Sequence, residues 1–185
     1  MAVEIGLSDV HRMSADDYHR LIDSGSFDDD TRVELIDGLL LDMRPKSPAH
    51  ENVIAALADR LFAGLDRVRY QPRVGAPLSI GDSEPEPDLI VIERGTAQPY
   101  HPATASLVIE VAVSSQRRDL RFKPAIYARA GIPVYWVIDL DGGRAVAHSQ
   151  PAEDGYANVE VVTELSAAHI GLEPIAVADI LAAAG

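Results

Sequence analysis

Three carboxylates stand inside stretches of chain that are otherwise apolar. Glu34 lies in Val33-Glu34-Leu35-Ile36, Asp88 opens Asp88-Leu89-Ile90-Val91-Ile92, and Glu110 interrupts Leu107-Val108-Ile109-Glu110-Val111-Ala112-Val113. An unpaired charge buried in an apolar segment is costly and is seldom left uncompensated. Taken singly, each acid reads as a buried ion pair with an arginine or as an edge position facing water. Taken together, they read as a site for one hard cation, Mg²⁺ or Mn²⁺, which binds carboxylate, carbonyl and water oxygens. Lys123 is the fourth candidate. Of the sixteen basic residues fourteen are arginine, and Lys46 and Lys123 are the two lysines. A lysine in so arginine-rich a chain suggests a compact ammonium chosen for its chemistry, able to meet a single phosphate oxygen or a water.

Two further groups are weaker candidates. His50 sits on the apolar stripe of a predicted helix, where a lone histidine is more often a core residue bonded to a carbonyl or carboxylate than a ligand. Arg117, Arg118 and Arg121 form a basic run near Lys123 that could meet flanking phosphates or could simply be a solvated helix face. The acids Asp82 and Glu84 read as a solvated loop, and Tyr127, Tyr135 and Trp136 as core. His11, His19, His101, His148 and His169 show no ligand spacing.

The elements that must position these groups follow from local pattern. Ser14 with Asp16 and Asp17 opens a capped helix that stops at Gly25. Val33 to Arg44 alternates around Asp37-Gly38, a pair suited to a tight hairpin turn. Ser47-Pro48 begins a second helix with His50, Ile54, Leu57, Leu61 and Leu65 on one face. Val68 to Ile80 reads as extended chain, Asp88 to Glu93 and Leu107 to Val113 as buried strands, and Ser114 onward as a basic helix ending at Gly131. Pro124 is tolerated only in a first helical turn, so that helix is expected to begin late or to bend beside Lys123. A hairpin around Asp141-Gly142-Gly143, a strand near Ala157 to Thr163 and a short terminal helix complete a mixed α/β domain over 1–185, with 1–12 expected as a flexible N-terminal segment.

Composition bounds the setting. The 185 residues suit one domain, no cysteine is present, and no apolar run is long enough to span a bilayer, which points to a cytoplasmic protein with no membrane partner. A net charge of -13 argues against strong sequence-independent binding of nucleic acid through a basic surface.

Read in order, Glu34-Leu35-Ile36-Asp37-Gly38, Ser47-Pro48-Ala49-His50, Glu86-Pro87-Asp88-Leu89, Val108-Ile109-Glu110-Val111 and Lys123 ahead of Tyr127 to Asp139 resemble the Uma-two family, restriction-endonuclease-like proteins of the PD-(D/E)XK nuclease superfamily. The resemblance runs from about Met13 to Ile180, and Tyr127 to Asp139 is its most specific stretch. It implies a restriction-endonuclease-like core, a mixed central sheet flanked by helices with additional antiparallel hairpins. It also implies an Mg²⁺- or Mn²⁺-dependent endonuclease cutting DNA, with Asp88, Glu110 and the backbone carbonyl of Val111 on the metal. Glu34 would assist a second metal or its water shell, with His50 near the site. The plain superfamily pattern puts its lysine two residues after the glutamate, where this chain has Ala112; the family resemblance puts it at Lys123. A homodimer is a further expectation. Two other functions fit the same residues: a catalytically inactive binding or assembly module, and a hydrolase of small phosphodiesters.

Overall fold

The computed structural model describes residues 10–28, 30–96, 98, 100–113 and 122–185. Helix α1 (Ala15–Asp23) starts where the Ser14 hydroxyl accepts the Asp17 N–H. Strands β1 (Val33–Ile36) and β2 (Leu39–Asp42) pair antiparallel around Asp37 and Gly38, both with positive φ. At Gly38 the requirement is twofold, since a Cβ there would also lie 2.7 Å from the Arg12 side chain and 2.9 Å from the Met13 carbonyl. Helix α2 (Pro48–Gly64) opens with Ser47 accepting the His50 N–H and with proline in its first turn.

The centre is a six-stranded sheet in the order β3 (Tyr70–Val74), β4 (Leu89–Glu93), β5 (Leu107–Ala112), β6 (Val134–Asp139), β7 (Arg144–Ala152), β8 (Gly155–Val162). Only β5 and β6 pair in parallel, and helix α3 (Lys123–Arg129) lies on the connection between them. Alternation along the strands divides the core. Leu89, Val91, Leu107, Ile109, Val111, Trp136 and Ile138 pack with α2 on one face; Ile90, Ile92, Val108, Ala112, Tyr135 and Val137 pack with Tyr127 of α3 on the other. Both faces are covered, which is why β5 is buried at all six positions and reads as one apolar run.

Helix α3 is shorter than the basic helix expected from the sequence. It begins at Lys123, with Pro124 in its first turn and no side-chain cap, as proline geometry requires. The earlier part of that expectation, with Arg117, Arg118 and Arg121, lies outside the described residues. Of the segment 1–12 expected to be flexible, residues 1–9 also lie outside them, whereas Arg12 is anchored, its guanidinium donating to the Asp37 carbonyl.

The chain end departs from the sequence reading. Before the terminal helix α4 (Val177–Ala182) comes an antiparallel pair, β9 (Glu164–Ala167) and β10 (Leu172–Ala176), joined by a 3-10 turn. A register shift between Leu172 and Ile175 disrupts the two-residue alternation that would have announced the strand.

Candidate active site

The register of the sheet brings two of the three acids together. Leu89 pairs with Ile109 and Ile90 with Val108, so Asp88 enters its strand beside the stretch of the neighbouring strand that carries Glu110 and Val111, and its carboxylate accepts the Val111 N–H. The two carboxylates are close enough for Asp88 to raise the Glu110 carboxyl, and basic side chains stand against both of them. Glu34 joins them from the β1–β2 hairpin. That hairpin is held by a bridge between Leu35 and Glu84 and by the Glu86 N–H, which donates to Glu34 Oε2 at 3.3 Å.

Lys123, the first residue of α3, reaches into the gap. Its Nζ lies 2.9 Å from Glu34 Oε2 and 3.0 Å from Glu110 Oε1. Tyr127, one helical turn further on the same face, donates its hydroxyl to the same Glu110 oxygen at 3.0 Å. Asp88 is gripped on both oxygens. Oδ2 accepts the Val111 N–H at 2.8 Å and faces His50 Nε2 at 3.2 Å, while Oδ1 lies 2.9 Å from Lys46 Nζ. His50 Nε2 is also 2.8 Å from the Val111 carbonyl oxygen, so this nitrogen carries a proton and donates. His50 Nδ1 is buried without a partner among the described residues.

Burial raises the Glu110 carboxyl to about 7 despite the opposing charge of Lys123, with Asp88 and Glu34 adding to the rise. Burial would depress the Lys123 ammonium, but the charges of Glu110 and Glu34 outweigh it and hold the group protonated well above its ordinary value. Burial likewise works to raise Asp88, and is outweighed by His50, the Val111 N–H and Lys46, which keep it below the usual carboxylate range.

These groups line one cleft of about 60 Å³, room for several waters. Its lining holds five acids against three bases and His50. Among the described residues no group of three or more His, Asp or Glu side chains is gathered closely enough to form a metal cage by itself. Glu34 and Glu110 converge instead on the Lys123 ammonium. Mg²⁺, however, is commonly held by one or two carboxylates with water and substrate phosphate completing its shell. The oxygen donors of Asp88 and Glu110, the closeness of the two carboxylates and the excess of acids over bases all fit a divalent cation.

Several sequence readings need correction. Glu84 is not solvated: it is 3% exposed, with His19 Nε2 2.8 Å and His101 Nε2 3.7 Å from its two oxygens and the Ser79 hydroxyl donating to it. The loop folds back under α1, a long-range contact that local composition does not encode. Asp82 stays exposed and accepts the Ala15 N–H. Tyr127 is core, as read, yet also bonds a candidate site carboxylate; its four-residue spacing from Lys123 was the available signal. Lys46 had only its rarity to mark it. His50, the weakest candidate in the sequence, touches both Asp88 and the Val111 carbonyl.

A family model described as "Uma2: Putative restriction endonuclease" matches residues 15–178. Among solved structures, a crystal structure described as that of a putative nuclease belonging to DUF820 from Anabaena variabilis ATCC 29413 aligns with a TM-score of 0.77 at 13% identity, over 94% of this chain and 99% of that one. At that identity the likeness is one of fold alone. No curated protein matches the chain in sequence.

Proposed function

The chain belongs to the Uma2 family, and from that premise we propose that it is a divalent-metal-dependent endonuclease hydrolysing phosphodiester bonds of DNA. The observation that carries this reading is the placement of Asp88, Glu110, Glu34 and Lys123 in one cleft lined by more acids than bases. Asp88, Glu110 and the Val111 carbonyl would hold Mg²⁺ or Mn²⁺, which when bound supplies Lewis acidity at a phosphate oxygen and a water acidified toward neutrality.

The protein's own groups do the positioning. Asp88 is locked by the Val111 N–H and His50, so its carboxylate is oriented before any ligand arrives. Lys123 remains protonated and is therefore an electrostatic group rather than a base. It sets a fixed positive charge where the transition state gains negative charge, steadied by Glu34. Tyr127 orients Glu110. Arg117, Arg118 and Arg121 are proposed to meet phosphates flanking the cut.

A polymer substrate is favoured by the open groove that lies alongside the cleft and shares Asp42, Met43 and Lys46 with it, where a backbone could run. No helix among the described residues is long and apolar enough to cross a membrane. The homodimer expected from the sequence would use the outer edge of β8, where Val159 and Val161 are exposed; light scattering reads it directly.

The test is incubation of supercoiled plasmid with wild type and Asp88→Ala in Mn²⁺, with and without chelator. Cleavage that needs the metal and vanishes with the substitution supports the proposal. Metal-independent cleavage, cleavage surviving the substitution, or no cleavage at all refutes it, and turnover of small phosphodiesters but not plasmid would favour the small-substrate hydrolase.

A further inference from the structure

Both lysines of this chain, out of sixteen basic residues, line the same cleft. They are not equivalent. Lys123 is wedged between two buried carboxylates, and its side chain is 8% exposed. The side chain of Lys46 is 22% exposed and reaches Asp88 Oδ1 at 2.9 Å from the loop between β2 and α2. Asp88 does not depend on it for placement, since Oδ2 is held separately by the Val111 N–H and faces His50. Lys46 also lines the open groove beside the cleft, where it and Arg32 are the two bases among three acids, Asp30, Asp42 and Glu51. It therefore stands at the boundary between the two spaces, with Asp88 as its ion-pair partner among the described residues.

We propose that Lys46 is the phosphate-binding ammonium of the site: its flexible stem reaches Asp88 Oδ1, and with Asp88 engaged as a ligand of a divalent cation the same ammonium would be available to a phosphate oxygen of a strand in the groove. This rests on the endonuclease reading above. An ammonium with three rotatable donors suits a single phosphate oxygen, and a flexible stem lets it serve two partners in turn.

This role makes an unusual demand on mutants, because Lys46 competes with the metal and cooperates with the substrate. With the whole chain, calorimetric titration of Mn²⁺ is expected to give about three- to tenfold tighter binding in Lys46→Met, the partly exposed competitor having been removed. Anisotropy with a short fluorescent duplex in Ca²⁺, across a salt series, is expected to show weaker binding and a salt slope smaller by about one phosphate contact. Lys46→Arg restores the slope. A lysine that merely braced Asp88 would give weaker Mn²⁺ binding when lost, so unchanged or weakened Mn²⁺ affinity in Lys46→Met overturns the proposal, as does an unchanged slope. Near-ultraviolet circular dichroism checks that both variants are folded. If wild type itself binds no duplex, the endonuclease reading falls and this role with it; if wild type binds and Lys46→Met binds equally well, only this role falls.

Discussion

The carboxylate of Asp88 accepts the backbone N–H of Val111 at 2.8 Å, which ties the entry of one central strand to the end of its neighbour. A residue placed for metal chemistry thus also satisfies a buried backbone donor. Asp88→Ala should lose metal-dependent cleavage by at least about a hundredfold and also cost roughly 1–3 kcal/mol, the penalty of an orphaned buried donor. Asp88→Asn keeps an acceptor, so it should be similarly inactive but closer to wild-type stability. Urea unfolding beside plasmid cleavage separates the two effects, and equal destabilisation by both substitutions would contradict the geometry.

Lys123 lies within hydrogen-bond reach of both Glu34 and Glu110. Lys123→Met should destabilise the metal-free protein by about 3–5 kcal/mol, as expected when one partner leaves a buried ion pair. Adding Glu110→Gln should recover part of that loss, since it removes one of the stranded charges. A double-mutant cycle of unfolding free energies measures the coupling.

Glu110 supplies a pH dependence with a definite sign. Its ordinary value of 4.5 rises to about 7 in the folded chain, chiefly through burial. The folded state therefore binds this proton more tightly than the unfolded one, and the resulting stability is complete below 4.5 and lost as pH rises through 7. In chelator, Glu110→Gln should flatten that decline, which amounts to roughly 3 kcal/mol at most. Unfolding midpoints at pH 5 and pH 8 are the measurement, and parallel profiles for the two proteins would exclude it.

His148 runs the other way. Burial among Tyr135 and Tyr156 lowers its pKa below 6.5, so the unfolded chain takes up the proton first. Its contribution is present above 6.5 and lost as pH falls below that value. Melting temperatures of His148→Phe should drop less than wild type between pH 7.5 and pH 5.

Glu84 gathers His19, His101 and Ser79 but does not line the cleft. Glu84→Ala should cost about 1–3 kcal/mol by leaving buried polar groups unpartnered, while cleavage at a temperature where the variant is folded stays near wild type. A large fall in cleavage with unchanged stability would instead place Glu84 in the chemistry.

Much of the architecture was legible because local rules were strong. Ser14 and Ser47 capped their helices as hydroxyl caps do, Asp37-Gly38 made its turn, and the apolar runs at Leu89 and Leu107 became central strands. The β9–β10 pair was not legible because its bulge breaks the period on which strand recognition rests.

The sequence by itself determined which residues could carry the chemistry, since an acid within an apolar strand, or a lysine in an arginine-rich chain, is visible without coordinates. Only the tertiary structure decided their relations: that Asp88 bonds the Val111 N–H beside Glu110, that Lys123 sits between two acids, that Lys46 and His50 attend Asp88, and that Glu84 is buried. Those facts depend on strand pairing and loop packing between segments far apart along the chain. Composition and periodicity report on neighbours in sequence, and distant segments become neighbours only when the chain folds.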